Sequence, residues 1–362
     1  MENPPHKKPK SHLISNTFFI VVALLIVLFV YVTRFHDFSG FPKPITASTN
    51  VSPHKKPPLS NVYLGFWTQN FWDSQTHSVN PQSLDKLQNE IGKKVAIANY
   101  YQGWQYLANP QIVNDLDTIN ANGWRPMLST NPYIFSLCPA NGLTLYKAIA
   151  NGNCDAFLHL IGKNLKKVKK PFFLRFAWEM NVDSMEWSTS HSGSHPQDFV
   201  KAWRRFHDIV VEEGATNVVW VFSPQVETRT TIDIAKLYPG DKYTSWVGLD
   251  GYNWGTAKSW STWQDFHSLY YNSYVKMGKI APDKPLMIAE VNTTNIGGDQ
   301  AAWYKSMLSQ EVPNDFPNIK AIIFFNEDKT STEGVKWLID NSPQSLQQFK
   351  SSISNPMYKS TF

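Results

Sequence analysis

Residues 172–181 read FFLRFAWEMN, and residues 285–291 read PLMIAEV. In each stretch an apolar run suited to a strand buried on both faces is closed by a carboxylate, Glu179 in the first and Glu290 in the second. Glutamate is a poor strand former and costly to bury, so a Glu at the tip of such a run calls for a reason beyond folding. Catalysis at the C-terminal end of a strand is one such reason.

Working outward, short apolar runs alternate with helical patterns from Asn61 onward, the signature of repeated βα units around a parallel sheet. The candidate strands are 62–67, 95–101, 124–130, 171–177, 217–222, 246–252, 285–289 and 319–325. Between them Phe199, Ala202, Trp203, Phe206, Ile209 and Val210 fall at helical spacing, with Lys201, Arg204 and Arg205 on the other face. A last helix is expected over 345–352. The pattern predicts an α/β fold, a single (β/α)8 barrel over residues 61–355, with a short C-terminal tail at 356–362. A doubly wound open sheet would announce itself by a Gly-rich phosphate turn after the first strand, and Trp67-Thr68-Gln69-Asn70 stands there instead. In the barrel, Glu179 follows strand 4 and Glu290 follows strand 7, so both emerge on the catalytic face. Two carboxylates flanking a scissile bond is the arrangement of glycosidases.

The formal net charge is +5, and its location matters more than its size. Lys7, Lys8, Lys10, Arg34, Lys43, Lys55 and Lys56 face only Glu2 and Asp37 within the first 60 residues, leaving equal numbers of basic and acidic residues in the remainder. The globular part is therefore neutral and offers no electrostatic case for nucleic acid. After a basic stretch at 1–12, residues 13–33 carry an apolar run long enough to span a bilayer. The lysines before it predict a single-pass signal anchor with a cytoplasmic N-terminus and an extracytoplasmic barrel. A cleaved signal peptide is the rival reading, although the apolar region is long and no small-x-small site follows it. Residues 34–60, rich in Pro, Ser, Thr and Lys, read as a linker that holds the barrel off the membrane.

On these residues the chain resembles glycoside hydrolase family 26, a family of β-mannanases with some β-glucanases and β-xylanases. The resemblance runs through 149–155 (IANGNCD), 174–181 (LRFAWEMN), 217–224 (NVVWVFSP), 238–241 (YPGD), 246–254 (WVGLDGYNW) and 288–290 (IAE). It implies a retaining double displacement with Glu179 as acid/base and Glu290 as nucleophile. Tyr252 resembles the tyrosine that orients the family's nucleophile. Arg175, four residues before Glu179, is placed inside the barrel by strand alternation, where it must be paired and can hold a catalytic carboxylate ionised. The family's mannanases usually carry His immediately before the acid/base. Here that position is Trp178, which leaves β-mannan and β-glucan both open as substrate. Trp178 and Asn181, which flank Glu179, are assigned to substrate contact together with Trp187 and Trp254, whose rings suit the apolar faces of pyranoses.

Cys138 and Cys154 form either a disulfide or two buried thiols. His191 and His195, near Asp183 and Asp198, read as a solvated loop rather than a metal site. Glu327 and Asp328, after strand 8, are accessory cleft candidates. With no phosphate loop, zinc spacing or dinucleotide fingerprint, neither a metal nor another cofactor is expected. The chain reads as a monomeric membrane-anchored glycosidase acting on polysaccharide. The competing readings are a transglycosylase and a non-catalytic carbohydrate-binding module on a hydrolase-like barrel.

Overall fold

The computed structural model describes residues 61–227 and 232–362, so the basic stretch, the anchor and the linker lie outside the described residues. Eight parallel strands close on themselves: β1 (Val62–Thr68), β2 (Ile97–Gly103), β3 (Arg125–Asn131), β4 (Phe172–Phe176), β5 (Val218–Phe222), β6 (Trp246–Asn253), β7 (Leu286–Thr293) and β8 (Ile319–Lys329). Each pairs with its sequence neighbour, and β8 pairs with β1 from Tyr63↔Ala321 to Thr68↔Asn326. This is a (β/α)8 barrel, and all eight strands fall where the apolar runs place them.

Strand alternation divides the apolar residues into two cores. Side chains such as Ile97, Met127, Phe173, Val221, Met287 and Ile323 fill the barrel interior. Their neighbours, such as Leu128, Leu174 and Phe222, pack outward against helices. The helix Pro196–Glu212 shows how the sequence dictates this. Its buried residues are the six apolar positions at helical spacing, and a capping box between His195 and Asp198 starts it. Those two residues thus belong to a helix N-terminus, and Asp183 accepts a bond from Ser190 Oγ at 2.5 Å.

Three features depart from the simple repeat. Among the described residues, β5 is followed only by two single-turn 3-10 segments, Ile234–Lys236 and Asp241–Tyr243. Pro224, Pro239 and Gly240 punctuate this stretch. β7 runs past Ala289 to Thr293, so Glu290 sits inside the strand rather than after it. And residues 356–362 are part of the barrel unit. Tyr358–Lys359 extends the sheet beside Val62 and Tyr63, and Phe362 stacks on Tyr63 with ring centroids 3.9 Å apart. Phe362 also meets Phe173 and lies 4.3 Å from the Arg125 guanidinium, so it caps the floor formed by the strands' N-terminal ends.

Cys138 and Cys154 are joined by a disulfide, which ties the loop after β3 to the residue preceding the helix Asp155–Leu165.

Candidate active site

Counting by twos up each strand from the interior apolar layer gives the next layer of inward side chains: Asn99, Ser129, Arg175, Ser223 and Asp250. One step further up come Trp67, Tyr101, Tyr252 and Phe325. Glu290 does not obey this count, because Met287 and Ala289 already point inward. The register explains how it joins them. Leu249 opposes Ile288 but Asp250 opposes Glu290, while on the other side Ile322 opposes Ile288 and Phe324 opposes Val291. Both neighbours show one extra residue on β7, a bulge at Ala289 that turns Glu290 into the barrel.

Arg175 is fully buried and organises this layer. Its Nη2 donates to Glu290 Oε1, its Nη1 to Asp250 Oδ1 at 3.1 Å, and its Nε to Ser129 Oγ at 2.9 Å. Burial works against the guanidinium's charge, but Asp250 and Glu290 outweigh it and raise its pKa. Glu290 receives two further bonds at 2.5 Å, from Tyr101 O–H to Oε1 and from Tyr252 O–H to Oε2. Three donors therefore converge on one carboxylate. Beneath it, Tyr270 O–H reaches the main-chain oxygens of Glu290 and Gly251, each at 2.8 Å, and secures the bulge from outside.

Glu179 lives in the opposite environment. It is 4% exposed and belongs to no ion pair among the described residues; its contact is with Gln225 Nε2 at 3.4 Å. Burial first, then the negative charges of Glu290 and Asp250, push its pKa well above the usual carboxylate range. Asp250 is raised as well, chiefly by burial, and its Oδ2 is buried without a hydrogen-bond partner. The chain reaches Glu179 through an uncommon backbone. Ala177 and Glu179 adopt left-handed φ values of 47° and 52°, conformations that L-residues avoid and that cluster at functional sites. The Glu179 N–H is held by Ser223 O at 2.9 Å.

Both carboxylates open onto a cleft of about 630 Å³ at the C-terminal end of the strands, the end where active sites of this fold are built. Trp178 and Trp254, assigned to substrate contact, line it. Asn181 and Trp187 do not; each supports a residue that does. Asn181 is buried and brackets the Gln225 backbone with two bonds of 2.9 Å. Trp187 packs on Trp178 with centroids 4.5 Å apart and donates to its carbonyl at 2.6 Å. Glu327 lines the cleft, held by Trp67 Nε1 at 2.7 Å, whereas Asp328 turns aside to Thr330 and Lys336. Tyr101, Asp250, Gln225 and Trp337 also belong to the site, beyond the residues that the sequence pattern singles out. The first two follow from the same count by twos from Ile97 and Gly248, but Gln225 lies in a loop with no such period and Trp337 on a three-residue strand too short to show one.

The family model for glycosyl hydrolase family 26 matches residues 142–318, a segment that contains both carboxylates and Arg175. Endoglucanase H of Acetivibrio thermocellus is 28% identical over 305 residues, covering 82% of this chain and 31% of its own length. The chain thus spans about a third of that curated relative. Among solved structures, an endo-β-1,4-mannanase double mutant from Cellulomonas fimi superposes with a TM-score of 0.61 at 15% identity, covering 83% of this chain and 72% of the other. A β-mannanase from Bacteroides ovatus gives 0.57 at 14% identity, covering 83% and 90%. At such identities these two structures speak to the fold alone.

Proposed function

We propose that the chain, whose residues 142–318 match the model of glycosyl hydrolase family 26, is a glycoside hydrolase acting on O-glycosyl bonds, a retaining endo-β-glycosidase with Glu290 as nucleophile and Glu179 as acid/base. The observation that carries this reading is the asymmetry of the two carboxylates. Glu290 is held in place by a guanidinium and two phenols, which suits a positioned nucleophile. Glu179, buried among negative charges, is suited to hold a proton.

In the first step a Glu290 oxygen bonds to the anomeric carbon as the bond to the leaving oxygen breaks, and the Glu179 proton passes to that oxygen. In the second, Glu179 takes a proton from water while the hydroxide displaces Glu290 from carbon. Configuration is inverted twice and so retained. A separation of about 5 to 5.5 Å between the two carboxyls belongs to this mechanism.

For substrate, we favour a β-glucan. The relative aligned over most of this chain is named an endoglucanase, and Trp178 stands where mannan-cleaving members usually carry His. β-Mannan is the second reading. We also propose that the segment 13–33 anchors the protein in a membrane with the barrel outside, a compartment in which the Cys138–Cys154 bond can persist.

The roles are tested by two substitutions on two substrates. Glu179→Ala should lose about 10²- to 10⁴-fold on polysaccharide and much less on an aryl β-glycoside, whose phenol leaves without protonation. Glu290→Ala should be inactive on both. Rescue by the aryl substrate in Glu290→Ala instead exchanges the roles, and full activity in both variants removes the glycosidase reading.

A further inference from the structure

From Glu290 a line of aromatic rings leads along one side of the cleft to the solvent. Tyr252, bonded to Glu290, meets Trp337 with centroids 4.8 Å apart; Trp337 meets Trp254 at 4.8 Å; and Trp254 meets Trp260 at 5.4 Å. The inner members are held in place. Trp337 lies on the strand Val335–Trp337, antiparallel to the end of β8, and donates its Nε1 to Glu333 at 2.8 Å. Trp254 follows β6 directly, and Lys258 Nζ lies 5.7 Å from its ring. Trp260, at the far end, lines the same cleft yet is 49% exposed. Trp260 thus keeps half of its indole open to water at the rim of the cleft, where a sugar face can cover it on binding.

We infer that Trp260 is the platform of a distal sugar subsite, which receives a pyranose of the polymer several residues from the bond that is cut. The inference deepens the proposed function and rests on it. A platform far from the reacting bond selects for chain length. Its binding energy is available to a polymer and absent for a short glycoside that cannot reach it. The interaction is equally present before and at the transition state, so it lowers KM more than it raises kcat.

The experiment compares wild type, Trp260→Ala and Trp260→Phe on the polymer the wild type cleaves, β-glucan or β-mannan, and on the matching aryl β-disaccharide. In Trp260→Ala the ratio of kcat/KM on polymer to that on the disaccharide should fall about tenfold, a stacking-sized loss, mainly through KM. Trp260→Phe should recover part of it. An unchanged ratio, or a loss shared equally by both substrates, overturns the distal subsite while the glycosidase assignment stands. Wild-type protein that cleaves neither polymer nor disaccharide overturns the proposed function, and the subsite with it.

Discussion

The burial that suits Glu179 to its proposed role as acid also bears on stability. A carboxyl whose folded pKa is raised binds its proton more tightly in the folded state than in the unfolded one. Below about pH 4 both states are protonated and the group costs nothing. As pH climbs through the ordinary carboxylate range the unfolded chain ionises freely while the folded one resists, and the cost grows until Glu179 itself ionises. Glu179→Gln should therefore stabilise the protein by about 1 kcal/mol or more at neutral pH, as removal of strained catalytic groups commonly does, with the gain vanishing in acid. Denaturant titrations of both proteins at pH 4 and pH 7 check the sign; a larger gain at pH 4 contradicts it. The sequence carried this much of the residue scale: the placing of Glu179 and Glu290 at one mouth of the barrel, and the inward direction of Arg175. It did not carry the true places of Asn181 and Trp187, because both sit in the turns after Glu179, where neither a strand's nor a helix's period applies.

At the scale of the element, β7 is where reading by pattern stops short. An apolar run followed by Glu looks like a strand that ends at its carboxylate. In fact the strand continues for three residues beyond Glu290, and the extra residue at Ala289 does the aiming. A bulge leaves no mark in composition, since it is a mismatch between neighbours rather than a property of one strand. Its support includes close packing at Gly251, where a Cβ would stand 2.9 Å from the Tyr270 hydroxyl that reaches the Glu290 carbonyl. Gly251→Ala should accordingly cost about 1–3 kcal/mol of stability, the usual toll of overpacking. In a double-mutant cycle with Tyr270→Leu, which opens space for the methyl, the two effects should be clearly less than additive. Additive losses in urea titrations remove the steric account.

Across the whole molecule, the barrel was legible because eight apolar runs in regular alternation admit few folds. The closing tail was not, because Tyr358 and Phe362 are isolated aromatics among polar residues and gain meaning only from Tyr63, Phe173 and Arg125 brought in from distant strands. Phe362 is 43% exposed, and its ring contacts place its worth at about 1 kcal/mol. Phe362→Ala should lower the melting temperature by a few degrees and leave kcat/KM untouched, because the floor and the cleft are opposite ends of the barrel. Calorimetry beside a polysaccharide assay tests both halves of that statement. The same polarity bears on how the protein could be mounted on a solid support. Chemistry directed at amines would modify Lys258 and Lys329 beside the cleft, whereas a peptide handle fused after Phe362 would fix the barrel by its closed end and leave every immobilised molecule with its mouth turned to the flowing substrate.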